Sequence, residues 1–139
     1  MRFLFVFLLS FITISVVAQD SWKICIDKKI LLKTSTENAE KNVVKISSAD
    51  LRKAKSFIVS YIESNTQRGW ERTISAYDEK DNELKKQKGK FFTLKTPELK
   101  TLLLKYKTVK IYTINAPTDP KMKAQVRLRR VHLCTLVLQ

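Results

Sequence analysis

Val126-Arg-Leu-Arg-Arg-Val-His-Leu-Cys-Thr-Leu-Val-Leu-Gln139 begins with apolar and basic residues in alternation and ends in an apolar run. A period of two marks a β-strand with one face on a core, so the stretch predicts a strand over 126–138. The alternation breaks where Arg130 follows Arg129. If the phase continued, Arg130 would point inward with Val126 and Leu128, and burying an unpaired guanidinium is costly. A bulge at Arg129-Arg130 resolves the conflict. Both arginines then face out, and Val131, Leu133 and Thr135 take over the inner phase. The alternative keeps Arg130 inside, paired with an acid such as Glu71 or Glu63.

The same period recurs along the chain. Strands are predicted over 22–26, 30–33, 43–46, 56–63, 70–77, 90–94 and 108–114. In 56–63 both faces are largely apolar, as in a central strand. In 70–77, Trp70, Arg72, Ile74 and Ala76 share one side, and Glu71, Thr73, Ser75 and Tyr77 the other. Glu83 and Leu84 could begin a return arm that residues 87–90 break. Ser47 carries an N-cap signal for one helical turn. Thr96-Pro97-Glu98 is the clearest helix start, with Thr96 as cap and Pro97 in the first position. Leu99, Leu102, Leu103 and Tyr106 then fall on one helical face. Residues 116–120 read as a rigid turn. Only Gly69 and Gly89 are glycines, so the turns rely on Asp, Asn, Lys and Pro. No βαβ rhythm is present. The pattern predicts an all-β fold, an antiparallel β-sandwich of about 7–9 strands with one short helix near 97–106. A small closed β-barrel is the alternative.

Residues 3–17 are apolar apart from Ser and Thr, follow Arg2, and lead to Val16-Val17-Ala18. That pattern is a secretory signal peptide over 1–18, and the run is short for a transmembrane anchor. A single domain over 19–139 follows, exported to the periplasm or beyond. No cysteine follows the cleavage point directly, which argues against a lipid anchor. Export permits a disulfide between Cys25 and Cys134. Both also sit in apolar strand-like runs, where free thiols behave as small buried hydrophobes. Together with the signal peptide, Trp70-Glu-Arg-Thr-Ile74, Ile111-Tyr-Thr113, Pro117-Thr-Asp-Pro120 and Arg127-Leu-Arg-Arg-Val-His-Leu-Cys134 resemble small exported bacterial β-sandwich proteins in layout. The resemblance implies fold and export, and it carries no functional residue.

Charge is uneven. Residues 19–83 hold 12 basic and 11 acidic side chains, a net of +1, whereas 84–139 hold 14 basic and 2 acidic, a net of +12. A basic C-terminal third suits an anionic partner. It equally suits a solvated, lysine-rich strand surface. No groove-entering helix or aromatic-interleaved motif supports nucleic-acid readout.

His132 is the only histidine, which argues against zinc and copper sites built on two or three imidazoles. On a strand His132 and Cys134 share a face, so a Cys–His pair is conceivable. The serines lack a nucleophile-elbow context. The acids of 78–83 have calcium-type chemistry without the EF-hand spacing and read as a hairpin turn. Two glycines cannot supply a phosphate-binding loop. Trp22, Trp70, Tyr77 and Tyr112 could form a sugar-stacking platform, although aromatics in a small sandwich are more often core. Tyr77 and Tyr112 are the better surface pair.

The sequence therefore predicts a non-catalytic binding or structural module of the cell envelope, without cofactor or metal. Its basic C-terminal third would recognise an anionic glycan, a lipid headgroup or an acidic protein. Lys110, Tyr112, Arg127, Arg129 and Arg130 are the candidate ligand-binding residues. The competing expectation is a small periplasmic hydrolase or metal-site enzyme using His132, and a third is a structural component that assembles through a sheet edge.

Overall fold

A computed structural model describes residues 17–139. The expected signal peptide, apart from its last two residues, lies outside the described residues. Nine strands and three short helices follow in chain order. They are β1 (Ser21–Ile26), β2 (Lys29–Thr34), β3 (Val43–Ile46), α1 (Ser48–Lys53), β4 (Ser56–Ile62), β5 (Trp70–Tyr77), β6 (Glu83–Lys88), β7 (Phe91–Lys95), α2 (Thr96–Tyr106), β8 (Thr108–Pro117), α3 (Pro120–Gln125) and β9 (Val131–Leu138).

The strands form two sheets, ordered β2-β1-β4-β7 and β3-β9-β8-β5-β6. The chain is a β-sandwich, and the closed-barrel alternative is set aside because no ladder joins the two sheets. Pairing is antiparallel except between β3 and β9, which run parallel. The doubly apolar β4 lies between β1 and β7, the central position that its pattern predicts. Alternate residues of both sheets meet in the core: Trp22, Ile24, Phe57, Val59 and Phe92 from one sheet, Ile74, Val109, Ile111, Cys134 and Leu136 from the other. Each large side chain contributes roughly 1.5–3 kcal/mol by leaving water. Leu51 of α1 and Leu99 and Leu103 of α2 are buried in the same cluster. The expected helical face of α2 is the one that packs. Its start differs in detail: Lys95 is the N-cap without a side-chain bond, and Thr96 lies inside the first turn, buried.

Arg72 and Glu63 form a buried ion pair, Nε to Oε1 at 2.7 Å, with both side chains 8% exposed. Arg72 Nη1 donates to Thr113 Oγ1 at 3.1 Å, and the guanidinium lies 3.9 Å from the Tyr61 ring centre. Thr66 Oγ1 donates to the other Glu63 oxygen at 3.1 Å, and Lys90 Nζ approaches it to 3.3 Å. An inward arginine with an acidic partner thus exists in the fold, but it is Arg72 and not Arg130.

Three sequence expectations for the last third are corrected. Residues 126–130 are not strand. Pro120 starts α3 behind the N-cap of Asp119, whose side chain accepts from Lys121 N–H, and β9 begins only at Val131. The register break falls not at Arg129-Arg130 but at Leu133, because Ile111 pairs with Cys134 and Tyr112 with His132. Leu133, lacking a partner in β8, joins Cys134 in the core, and its carbonyl accepts the Trp22 Nε1–H at 2.9 Å across the sandwich. Thr135 pairs with Lys110 on the outer face instead of taking an inner place.

The bulge also separates His132 from Cys134: Cys134 turns into the core, and His132 lies on the outer face beside Tyr112. The Cys25–Cys134 disulfide is absent. Both thiols are free and buried. Cys25 lies between the core residues Ile24 and Ile26 and pairs with Ile30 and Ile58, so strand alternation turns it to the outer side of its sheet, away from Cys134.

Candidate functional site

Strand alternation decides which side chains meet on the outer face of the five-stranded sheet. Cross-strand register sets Lys88 beside Thr73 and Ile114. The next row runs Lys86, Ser75, Tyr112, His132, and the next Glu83, Tyr77, Lys110, Thr135. After β8 the chain does not leave this face. Lys123 of α3 and Leu128 of the following segment join Thr73, Ser75, Tyr112, Ile114 and Ala116 in lining a groove of about 360 Å³. Glu71, Lys86 and Lys88 bound its β6 side. That volume is at the small end of ligand pockets, which run from about 300 to 1,000 Å³. A larger but more open depression of about 540 Å³ lies between the 78–84 turn and the end of α2.

Arg130 organises one end of the groove. Its guanidinium carbon lies 4.0 Å from the Tyr112 ring centre and 4.8 Å from that of Tyr77. Its Nη2 donates to the Asp81 carboxylate at 3.1 Å and 3.2 Å. The two tyrosines meet edge-to-face at 5.6 Å, and the Tyr77 hydroxyl donates to Glu83 Oε2 at 3.2 Å. Arg130 is therefore engaged with the protein itself and acts as a clamp on two rings. The rest of the 78–82 turn is likewise self-satisfied. Asp78 accepts from Lys80 N–H, Asn82 N–H and Asn82 Nδ2 at 2.8–2.9 Å.

The five expected binding residues do not form one patch. Lys110, Tyr112 and Arg130 share the outer face. Arg127 is exposed on the segment beyond α3 and has no ion-pair partner among the described residues. Arg129 turns away to pair with Glu37 and lines a separate depression with Asp20 and Ser35. Of the four aromatics considered as a platform, Trp22 is core and only Tyr77 and Tyr112 line the groove. Lys86, Lys88, Lys123, Thr73 and Ser75 escaped the sequence reading as site residues. The alternation of β5 already put Thr73, Ser75 and Tyr77 on one side, and Asp119-Pro120 is a helix-start signal that would have placed Lys123.

Free polar groups are concentrated here. Among the described residues, the Thr73, Ser75 and Tyr112 hydroxyls make no side-chain hydrogen bond, although Ser75 is only 5% exposed. Lys88 contacts Glu71 at 3.2 Å and Lys86 contacts Glu83 at 3.6 Å, both loose exposed pairs. Lys123 has no acidic partner among the described residues. The groove lining thus carries three ammonium groups against one carboxylate, Glu71.

His132 is buried next to this face. Its ring stands edge-on to Tyr112 at 5.3 Å, Nε2 meets Thr135 Oγ1 at 2.9 Å, and Nδ1 has no partner. Its backbone N–H donates to Glu37 Oε1 at 2.8 Å. Burial holds the imidazole below its usual pKa, Lys110 adds to that shift, and Glu37 opposes it. Neither a thiol nor an orienting carboxylate meets the ring, so the geometry supplies no nucleophile–base pair. Among the described residues, no three His, Cys, Asp or Glu side chains gather as a metal site would require, and no helix is long and apolar enough to cross a membrane. No protein-family model matches the chain, and no curated protein matches it in sequence.

Proposed function

We propose that the protein is an exported, non-catalytic binding module that recognises an anionic partner of the envelope or its surroundings through this groove. One observation carries the reading: ammonium groups stand on both sides of a partly enclosed groove, Lys123 on α3 and Lys86 and Lys88 on β6, above hydroxyls that no protein group engages. Cations around a recess concentrate field lines and favour an anion there over open solvent. Export rests on the apolar run and small-residue junction ending at Ala18.

The test is binding of anionic probes at rising salt, with Lys86→Gln, Lys88→Gln and Lys123→Gln combined. Affinity falls with salt in the parent, and the triple variant loses most of it. Salt-independent binding, or a triple variant that binds as well as the parent, would overturn the assignment. For export, the mature protein is recovered outside the cytoplasm with Gln19 first.

A further inference from the structure

We infer that the groove takes a carboxylate-bearing sugar, the uronic-acid unit of an acidic glycan. This rests on the anionic-groove reading above and narrows it. The carboxylate sits between Lys123 and the Lys86–Lys88 side, and ring hydroxyls meet Thr73, Ser75 and Glu71.

Four features of the groove select this chemistry. First, Thr73 and Ser75 present hydroxyls on the floor, each able to donate and accept. A ligand that covered the accessible Thr73 and Ser75 hydroxyls without bonding them would lose affinity, so an acyl chain is disfavoured and a polyol is favoured. Second, Glu71 lines the wall beside Lys88. Its carboxylate can accept from a sugar hydroxyl, and it repels a doubly charged phosphate more than a singly charged carboxylate. Third, the groove's cations are three lysines, point charges that can pair with a single carboxylate. The arginine at the site, Arg130, is held by Asp81 and two tyrosine rings. Fourth, Ile114, Ala116 and Leu128 supply a small apolar wall that suits the C–H face of a sugar ring, within a volume of about 360 Å³.

The experiment is calorimetric titration of residues 19–139 with a uronic-acid trimer, its methyl ester, the matching neutral trimer, polyglutamate and phosphatidylglycerol vesicles. The uronate binds, and the ester and neutral trimers bind at least about tenfold more weakly, the worth of one charge-assisted hydrogen bond. Thr73→Val with Ser75→Ala lowers uronate affinity by about tenfold, with urea midpoints and circular dichroism confirming that the variant folds. Arg127→Gln, outside the groove, leaves it unchanged. If polyglutamate or vesicles bind through Lys86, Lys88 and Lys123 while the uronate does not, the sugar is wrong and the groove stands. If no anionic probe loses affinity in the triple lysine variant, both fail.

Discussion

Glu63→Gln is the most informative single perturbation of the fold. It preserves shape and removes the charge opposite Arg72. Removing one partner of a buried ion pair costs about 3–5 kcal/mol, because the remaining charge is left unpaired in a poor solvent. Arg72 keeps its bond to Thr113 and its position over Tyr61, which places the expected loss near the lower end, about 3 kcal/mol. Arg72→Met is milder, at about 2 kcal/mol, since Glu63 retains Thr66 and Lys90. The double variant Glu63→Leu/Arg72→Met removes both charges and their desolvation, so it is more stable than the sum of the single losses by at least about 1 kcal/mol. Urea unfolding reads all three: with a slope of about 1–3 kcal/mol/M, Glu63→Gln lowers the midpoint by about 1–3 M. The pH dependence has a definite sign. Burial raises the Glu63 pKa, but the Arg72 contact outweighs it and the carboxyl titrates below its usual range. A depressed folded pKa contributes stability above the unfolded value, about 4.3, and loses it as pH falls through the folded value. Acid destabilisation below about pH 4 is therefore smaller in Glu63→Gln than in the parent. A loss under about 1 kcal/mol for Glu63→Gln, or strict additivity in the cycle, would refute the argument.

Arg130→Ala is expected to cost about 1–2 kcal/mol, from exposed cation–π contacts and a surface ion pair, and Arg130→Lys recovers only part of it because lysine lacks the plane. An unchanged urea midpoint in Arg130→Ala would show that the clamp carries no weight. Burial pushes the Cys134 thiol pKa up, and Cys25 is covered, so the native protein resists aromatic disulfide reagents. Unfolding without reductant releases two reactive thiols per chain; recovery of none would mean that the cysteines are bonded. The depressed His132 pKa contributes stability above about pH 6.5 and loses it as pH falls through the folded value. Urea midpoints should drop between about pH 7 and pH 5, and less so in His132→Phe. Equal slopes in parent and variant would exclude His132 as the source.

What could be read from the sequence depended on whether local rules went unopposed. Alternation in 56–62 and 70–77 placed β4 centrally and sorted the two faces of β5, because period-two burial is a local property. Thr96-Pro97 marked α2 for the same reason. Glu83–Lys88, with three lysines, a glutamate and a glutamine, looks unlike a strand, yet a lysine-rich edge can pair on one side while its charges stay wet. The errors near 126–135 share one cause. Strand phase cannot place Arg130, because a six-residue helix starting at Pro120 lifts the chain off the sheet and delivers Arg130 to two tyrosines from outside. The bulge at Leu133 follows from a partner 111 residues away, Trp22, and no local pattern encodes it. The groove was hidden for that reason too, since its walls come from β6 and α3.

The Trp22–Leu133 bond and the position of β9 also govern when folding can finish. Among the described residues, β9 is the only strand that pairs with β3, and it is one of two neighbours of β8. Until β9 is delivered, β3 has no ladder, the indole of Trp22 has no carbonyl, and the cysteine and leucines of β9 are missing from the core. Such long-range closure makes folding slow relative to helical proteins of similar size, in the range of about milliseconds to seconds. A chain still lacking β9 therefore has neither the β3 ladder nor the cross-sandwich bond that closes the core, so the last strand made is the one on which the native packing waits.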